Sequence, residues 1–147
     1  MSTRSGLVLD ANILIRAVFG KRVRTILEHF EDHCDFYTAE VCIEDALKYI
    51  PELCKTRKLD AELPLSVMRR VLDLVLSIDR NFYQDREVEA RERVQHRDVD
   101  DWPILALALS IGCPIWTEDQ DFFGVGVATW TTNTVELYLR SLGKIRS

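Results

Sequence analysis

The chain has 147 residues, 47% of them apolar and 29% charged, which is enough for one domain with a substantial core. No apolar run approaches the roughly 20 residues that cross a bilayer, which argues against a membrane-spanning helix. A net charge of −5 argues against tight non-specific binding to nucleic acid, which rests on Lys and Arg neutralising phosphates. It leaves room for a nucleic-acid enzyme whose acids are held together by divalent cations.

The N-terminus, MSTRSGLVLDANILI, carries no signal-peptide cleavage pattern, and Asp10 and Asn12 interrupt its apolar segment. Gly6-Leu7-Val8-Leu9 is a short apolar run ending at Asp10, the pattern of a buried parallel strand. Ala11-Asn12 opens a helix with Ile13, Leu14, Ala17 and Val18 at helical spacing, and Gly20 breaks it. Val23, Ile26, Leu27 and Phe30 mark a second helix, with Lys21, Arg22 and Arg24 near its start. Those cations oppose the helix dipole, so they form either a solvated face or a phosphate-binding rim.

Asp35-Phe36-Tyr37-Thr38 reads as a second strand. The helix after it starts near Ala39, with Thr38 as its cap and Ile43, Leu47, Ile50 and Cys54 on one face. Glu44 lies in its second turn beside that stripe, and Pro51 is expected to kink or end the helix. Pro64 suits the first turn of an amphipathic helix with Met68, Val71, Leu72, Val75 and Ile78 inward. Asn81-Phe82-Tyr83 reads as a brief edge strand. Asp85 to Val94 reads as a solvated surface helix with Glu87–Arg91 and Glu89–Arg93 at favourable spacing.

From Ile104 to Ile111 the chain is apolar except for Ser110, so this helix must be buried on every face. Gly112 sits where a left-handed cap belongs, and Cys113 to Thr117 reads as a short buried strand. Asp98, Asp100 and Asp101 precede the helix; Glu118, Asp119 and Asp121 follow the strand. Val127 to Trp130 forms the last strand, and Asn133 to Glu136 resembles a capping box opening a helix with Val135, Leu137, Leu139 and Leu142. The four cysteines, Cys34, Cys42, Cys54 and Cys113, lack C-x-x-C spacing and read as buried free thiols of a reducing cytoplasm. His29, His33 and His96 form no zinc pattern.

Short apolar strands alternating with helices define an α/β fold with a mostly parallel central sheet sandwiched by helices, here one domain over residues 1–147. Ligands of such sheets bind beyond the carboxyl ends of the strands. Asp10, Glu44, Asp101 and Asp119 all map to that edge, too many acids for capping alone. Clustered carboxylates repel unless a cation intervenes, and an all-oxygen set without His or Cys favours Mg²⁺ or Mn²⁺. No Ser or Cys nucleophile with an adjacent base and no glycine-rich phosphate loop is visible. Metal-dependent phosphodiester hydrolysis follows, a chemistry that does not itself choose RNA over DNA.

Val8 to Ile15 (VLDANILI), Glu44 within TAEVCIEDAL, Asp101 within DDWPILALAL, and Asp119 with Asp121 within WTEDQDF resemble, in order, the motifs of PIN-domain nucleases, most of all the VapC-like ribonuclease toxins. The resemblance implies a PIN-like fold and a Mg²⁺ or Mn²⁺ site on Asp10, Glu44, Asp101 and Asp119, with Asp121 auxiliary. It implies that Asn12 and Thr117 orient these acids, that RNA is the substrate in the cytoplasm, and that a homodimer is blocked by a small antitoxin. On chemistry alone Glu40 and Asp45 serve as well as Glu44, and Asp100 as well as Asp101; the motif spacing selects Glu44 and Asp101. Arg16, Lys21, Arg22, Arg24 and Arg97 are the basic candidates for holding RNA. Two alternatives share the fold: a housekeeping PIN nuclease, and a non-catalytic scaffold that binds RNA or protein. A dehalogenase-type phosphatase would need Asp-x-Asp followed by Gly-Thr, where this chain has Asn12 and Ile13.

Overall fold

The computed structural model describes residues 5–146, with side chains described through Leu142; residues 1–4 and 147, the ends of the expected domain, lie outside them. Strand β1 (Gly6–Leu9) is the centre of the molecule, and Leu7, Val8 and Leu9 are fully buried. It feeds α1 (Ala11–Phe19) and α2 (Lys21–Phe30), which bury the expected Ile13, Leu14, Ala17, Val18, Val23, Ile26, Leu27 and Phe30. Then follow β2 (Asp35–Ala39), α3 (Glu40–Thr56), α4 (Glu62–Leu74), β3 (Leu76–Ile78), α5 (Arg80–Tyr83) and α6 (Glu87–Val94). The chain closes with α7 (Trp102–Ile111), β4 (Ile115–Trp116), β5 (Thr129–Trp130) and α8 (Val135–Arg146).

The five strands form one all-parallel sheet in the order β3-β2-β1-β4-β5. The chain therefore builds outward from β1 on one side, then crosses back to build outward on the other. The switch point lies between β1 and β4, where open α/β sheets bind ligands. The carboxyl end of β1 is pinned from both sides there. The buried Thr38 hydroxyl donates to the Leu9 carbonyl at 2.8 Å, and the Asp10 N–H donates to the Trp116 carbonyl at 3.1 Å.

Helix α7 packs against β1, β2 and β4, with every residue from Trp102 to Ala108 buried. Each such Leu or Ile contributes about 1.5–3 kcal/mol relative to exposure, which makes α7 the main apolar prop of the sheet. Gly112 ends it at φ 80°, its N–H donating to the Ala108 carbonyl at 2.8 Å, as a left-handed cap requires. All four cysteines are buried, and among the described residues none forms a disulfide. Among the described residues no helix is long and apolar enough to cross a membrane.

Several local expectations are corrected. Pro51 does not end α3, which continues to Thr56; the carbonyl that its missing N–H deprives belongs to Leu47, 42% exposed, where water can take it. The buried stripe of α3 is Cys42, Ala46, Ile50 and Cys54 rather than one through Ile43 and Leu47, so Glu44 projects away from it. Thr38 does not cap α3; it joins β2 to β1. The edge strand is Leu76–Ile78, paired with Tyr37–Ala39, and not Asn81–Tyr83, which is a helical turn capped by Asp79. No capping box forms at Asn133: the Thr134 hydroxyl accepts from the Thr131 N–H, and Asn133 accepts from Arg22. On α8 Val135, Leu139 and Leu142 are buried, while Leu137 faces outward.

Candidate active site

Asp10 follows β1 and is 8% exposed. Its Oδ1 accepts from the Ala11 N–H at 2.7 Å; its Oδ2 accepts from Asn12 Nδ2 at 3.0 Å and from the Thr117 hydroxyl at 2.9 Å. A carboxylate has about four acceptor positions, so roughly one remains open. Burial raises its pKa, the hydrogen bonds from Thr117 and Ala11 oppose that, and the charge of Asp119 adds to the rise.

Thr117, fully buried after β4, is the hub. Its Oγ1 donates to Asp10 and accepts from the Asp119 N–H at 2.9 Å and from Asn12 Nδ2 at 3.4 Å. Asn12 Oδ1 accepts from the Glu118 N–H at 3.3 Å, so the start of α1 and the segment after β4 are tied in both directions. Asp119 Oδ1 accepts from the Asp121 N–H at 2.9 Å, bending the chain into a tight turn. Thr117→Val keeps the shape but removes the hub, leaving a buried donor and acceptor unpaired. It should cost about 1–3 kcal/mol, read from urea unfolding; a loss well under this range would mean that water replaces the hydroxyl.

Asp101 behaves differently from a cap. Asp98, not Asp101, caps the turn before α7, by accepting from the Asp100 N–H at 3.0 Å. The Asp101 side chain makes no cap hydrogen bond, and its Oδ2 is buried without a hydrogen-bond partner. Burial first, then the charges of Asp10, Asp119, Asp98 and Asp121, push its pKa up to about 8. Among the described residues, Asp101, Asp119 and Asp121 bring carboxylate oxygens within 4.8 Å of one another, a set able to hold an ion.

The second expected ligand stands apart from that set. Glu44 is exposed on α3. Its competitor Glu40 accepts from the Tyr83 hydroxyl at 3.1 Å through Oε1, while its Oε2 is buried without a hydrogen-bond partner. Asp45 is exposed, as is Asp100.

The basic candidates divide by use. Arg24 donates to the Ala17 and Val18 carbonyls at 2.9 and 3.3 Å, closing the end of α1. Arg22 donates to Asn133 Oδ1 at 2.9 Å. Arg16 and Lys21 are exposed, and Arg97 lies by the loop at Gly124.

Sequence patterning gives no sign of the clamp on the residue that follows Asp101. That residue, Trp102, lies beneath the guanidinium groups of Arg80 and Arg91, at 5.1 and 5.0 Å, with the Tyr83 ring edge-on at 5.8 Å. Glu87 binds both arginines, at 2.9 and 2.8 Å. Helix α6 is thus more than a solvated surface, and it also buries Ala90 and Val94.

The fold and site define an α/β protein with a carboxylate centre at the topological switch point of a parallel sheet. The chain belongs to the PIN-domain family, whose model matches residues 8–140. No curated protein matches it. Its fold is similar to that of VapBC2 from Rickettsia felis, solved bound to a DNA fragment from its promoter: TM-score 0.68, 13% identity, 86% of this chain and 98% of that chain covered. A toxin–antitoxin complex from Klebsiella pneumoniae gives a TM-score of 0.63 at 19% identity, covering 86% and 97%. FitAcB from Neisseria gonorrhoeae gives 0.60 at 19%, covering 86% and 97%. At these identities the likeness is one of fold.

Proposed function

We propose that the protein is a Mg²⁺- or Mn²⁺-dependent endoribonuclease, the toxin of a toxin–antitoxin pair, working in the cytoplasm as a homodimer and silenced by a small antitoxin. The observation that carries the reading is the orphaned Asp101 Oδ2, buried beside the oxygens of Asp119 and Asp121. An unpaired buried acceptor costs about 1–3 kcal/mol, and a cation would remove that cost. An all-carboxylate donor set fits a hard cation. The antitoxin is supported by the complexes that share this fold.

In this reading Asp101, Asp119 and Asp121 hold the ion, and Asp10 and Glu44 complete the anionic rim. When bound, Mg²⁺ or Mn²⁺ supplies an acidified water and neutralises charge building on the phosphoryl group. Asn12 and Thr117 keep the Asp10 carboxylate turned inward. Asp119 is anchored by its backbone N–H on Thr117, and its Oδ1 is oriented by the Asp121 N–H.

The test is cleavage of single-stranded RNA by purified protein with Mn²⁺ and with EDTA, beside a calorimetric Mn²⁺ titration. Cleavage should require the metal. Binding of neither Mn²⁺ nor RNA cleavage would leave only a PIN-like scaffold. Glu44→Gln, on the rim of that set, should lower the rate by about 10–100-fold, as groups behind a metal ligand do. Glu40→Gln and Asp45→Asn should keep most of the activity, since Glu40 is engaged with Tyr83 and Asp45 lies outside the motif spacing. Equal losses in all three would assign the effect to α3 as a whole.

A further inference from the structure

A pocket of about 370 Å³ opens beside the carboxylate centre, lined by Arg16, Phe19, Arg22, Glu118, Thr132 and Asn133. That volume lies within the range of about 300–1,000 Å³ seen for small-ligand sites. Two walls connect it to the centre. On α1, Asn12 and Arg16 are one turn apart on the same face, with Phe19 three residues on, so one stripe runs from the Asp10 network into the pocket. On the other wall Glu118 directly precedes Asp119.

The polar groups of the pocket are fixed in polarity. Arg22 donates to Asn133 Oδ1 at 2.9 Å, which leaves the Asn133 amide nitrogen as that side chain's donor. Glu118 Oε1 accepts from the Thr132 N–H at 2.8 Å, which leaves Oε2 as the open acceptor. Among the described residues Arg16 makes no hydrogen bond or ion pair, so its charge is not neutralised by Glu118. Phe19 and Val23 supply apolar surface. In a chain of net charge −5, two guanidinium groups next to an acidic centre are where a polyanion would be gripped. A carboxylate among them suits a different task, accepting from the N–H edge of an unstacked base, as single-stranded RNA readers do.

We propose, resting on the reading of this protein as a ribonuclease, that this pocket holds the nucleotide flanking the scissile phosphate, with Arg16 on its phosphate and Glu118 reading a donor on its base. Glu118→Gln keeps a carbonyl for the Thr132 N–H while the open acceptor can become a donor, so folding is preserved and reading is altered. Arg16→Gln removes one phosphate contact; Arg16→Lys keeps the charge.

The experiment digests random-sequence single-stranded RNA with Mn²⁺ and maps the cut ends, with folding of each variant read from its melting curve. Wild type should favour certain bases at one position next to the cut, and Glu118→Gln should change the preference at that position. Arg16→Gln should lower kcat/KM and make its logarithmic salt dependence shallower by about 0.7, the value for one phosphate on a single strand, whereas Arg16→Lys keeps the slope. A wild type without base preference, or an unchanged preference in Glu118→Gln, overturns the base reading. An unchanged salt slope in Arg16→Gln overturns the phosphate contact. If wild type cuts no RNA, the ribonuclease reading fails first, and binding of labelled single-stranded RNA in EDTA decides the pocket. Weaker binding by Arg16→Gln sustains it as an RNA site, and equal binding overturns it.

Discussion

Asp101→Asn should lose metal-dependent RNA cleavage by about a hundredfold or more, while melting above wild type in EDTA near pH 7. The first effect follows from removing a ligand charge from the only set of three or more acids, among the described residues, whose oxygens lie within 4.8 Å of one another; groups merely behind a ligand are worth 10–100-fold. The second follows from the same burial. The folded protein holds the Asp101 proton up to about pH 8, against an ordinary value of 3.8. Between those limits the folded state binds more protons than the unfolded one, so stability falls as pH rises through the window and is flat outside it. Asp10 is shifted in the same direction and adds to the slope. Asn carries no charge to bury, so the variant loses the Asp101 share of that slope, and its advantage should vanish towards pH 4. Saturating Mn²⁺ stabilises only a protein that binds it, so adding the metal should shrink or reverse the ranking. Melting curves in EDTA and in Mn²⁺ from pH 4 to 8 measure this. A variant that cleaves like wild type, or melts below it in EDTA at neutral pH, removes Asp101 from the metal centre.

The other large effect expected is on stability. Trp102→Ala should cost about 3–5 kcal/mol, the usual cost of emptying a buried aromatic site. Trp102 is 6% exposed and lies under two guanidinium groups. Each cation–π contact is worth about 0.5–1 kcal/mol when exposed and up to about 2 when desolvated, so Arg80→Ala and Arg91→Ala should each cost far less than the tryptophan. Trp102→Phe should fall between, keeping a ring but losing area. Because Trp102 is joined to Asp101, Mn²⁺ affinity should drop in Trp102→Ala even at temperatures where the variant is fully folded. Urea unfolding and calorimetry separate the two effects. A cost under 1 kcal/mol would mean that the clamp is ornamental to the fold.

How much of this is legible in the sequence depends on whether the signal is local. β1 and α7 were plain because their residues are apolar throughout, which only burial on all sides explains. Gly112 was plain because a left-handed cap favours glycine. β3 was hidden because three edge residues, two of them exposed, continue the helical spacing of Met68 and Val71 without a break. The acids at the strand ends were visible as a set, yet their grouping was not: Asp121 joins Asp101 and Asp119, while Glu44 projects from α3, because helix phase is decided by which stripe packs, here Cys42 to Cys54. The Trp102 clamp joins residues far apart in sequence and has no periodic trace. Glu118 looked like one more acid beside Asp119; only its bond to the Thr132 N–H reveals a wall of a pocket.

The four buried thiols have a consequence of another kind. Cys34 lies just before β2, Cys42 and Cys54 at opposite ends of α3, and Cys113 just before β4. Burial pushes the Cys113 thiol up to about 12, and Cys42 rises further still. An alkylating reagent needs an accessible thiolate, so the folded chain withholds access at all four and the nucleophile as well at Cys42 and Cys113, and an opened segment restores what was withheld. The protein therefore carries four built-in clocks, each timing how often its own part of the fold comes apart.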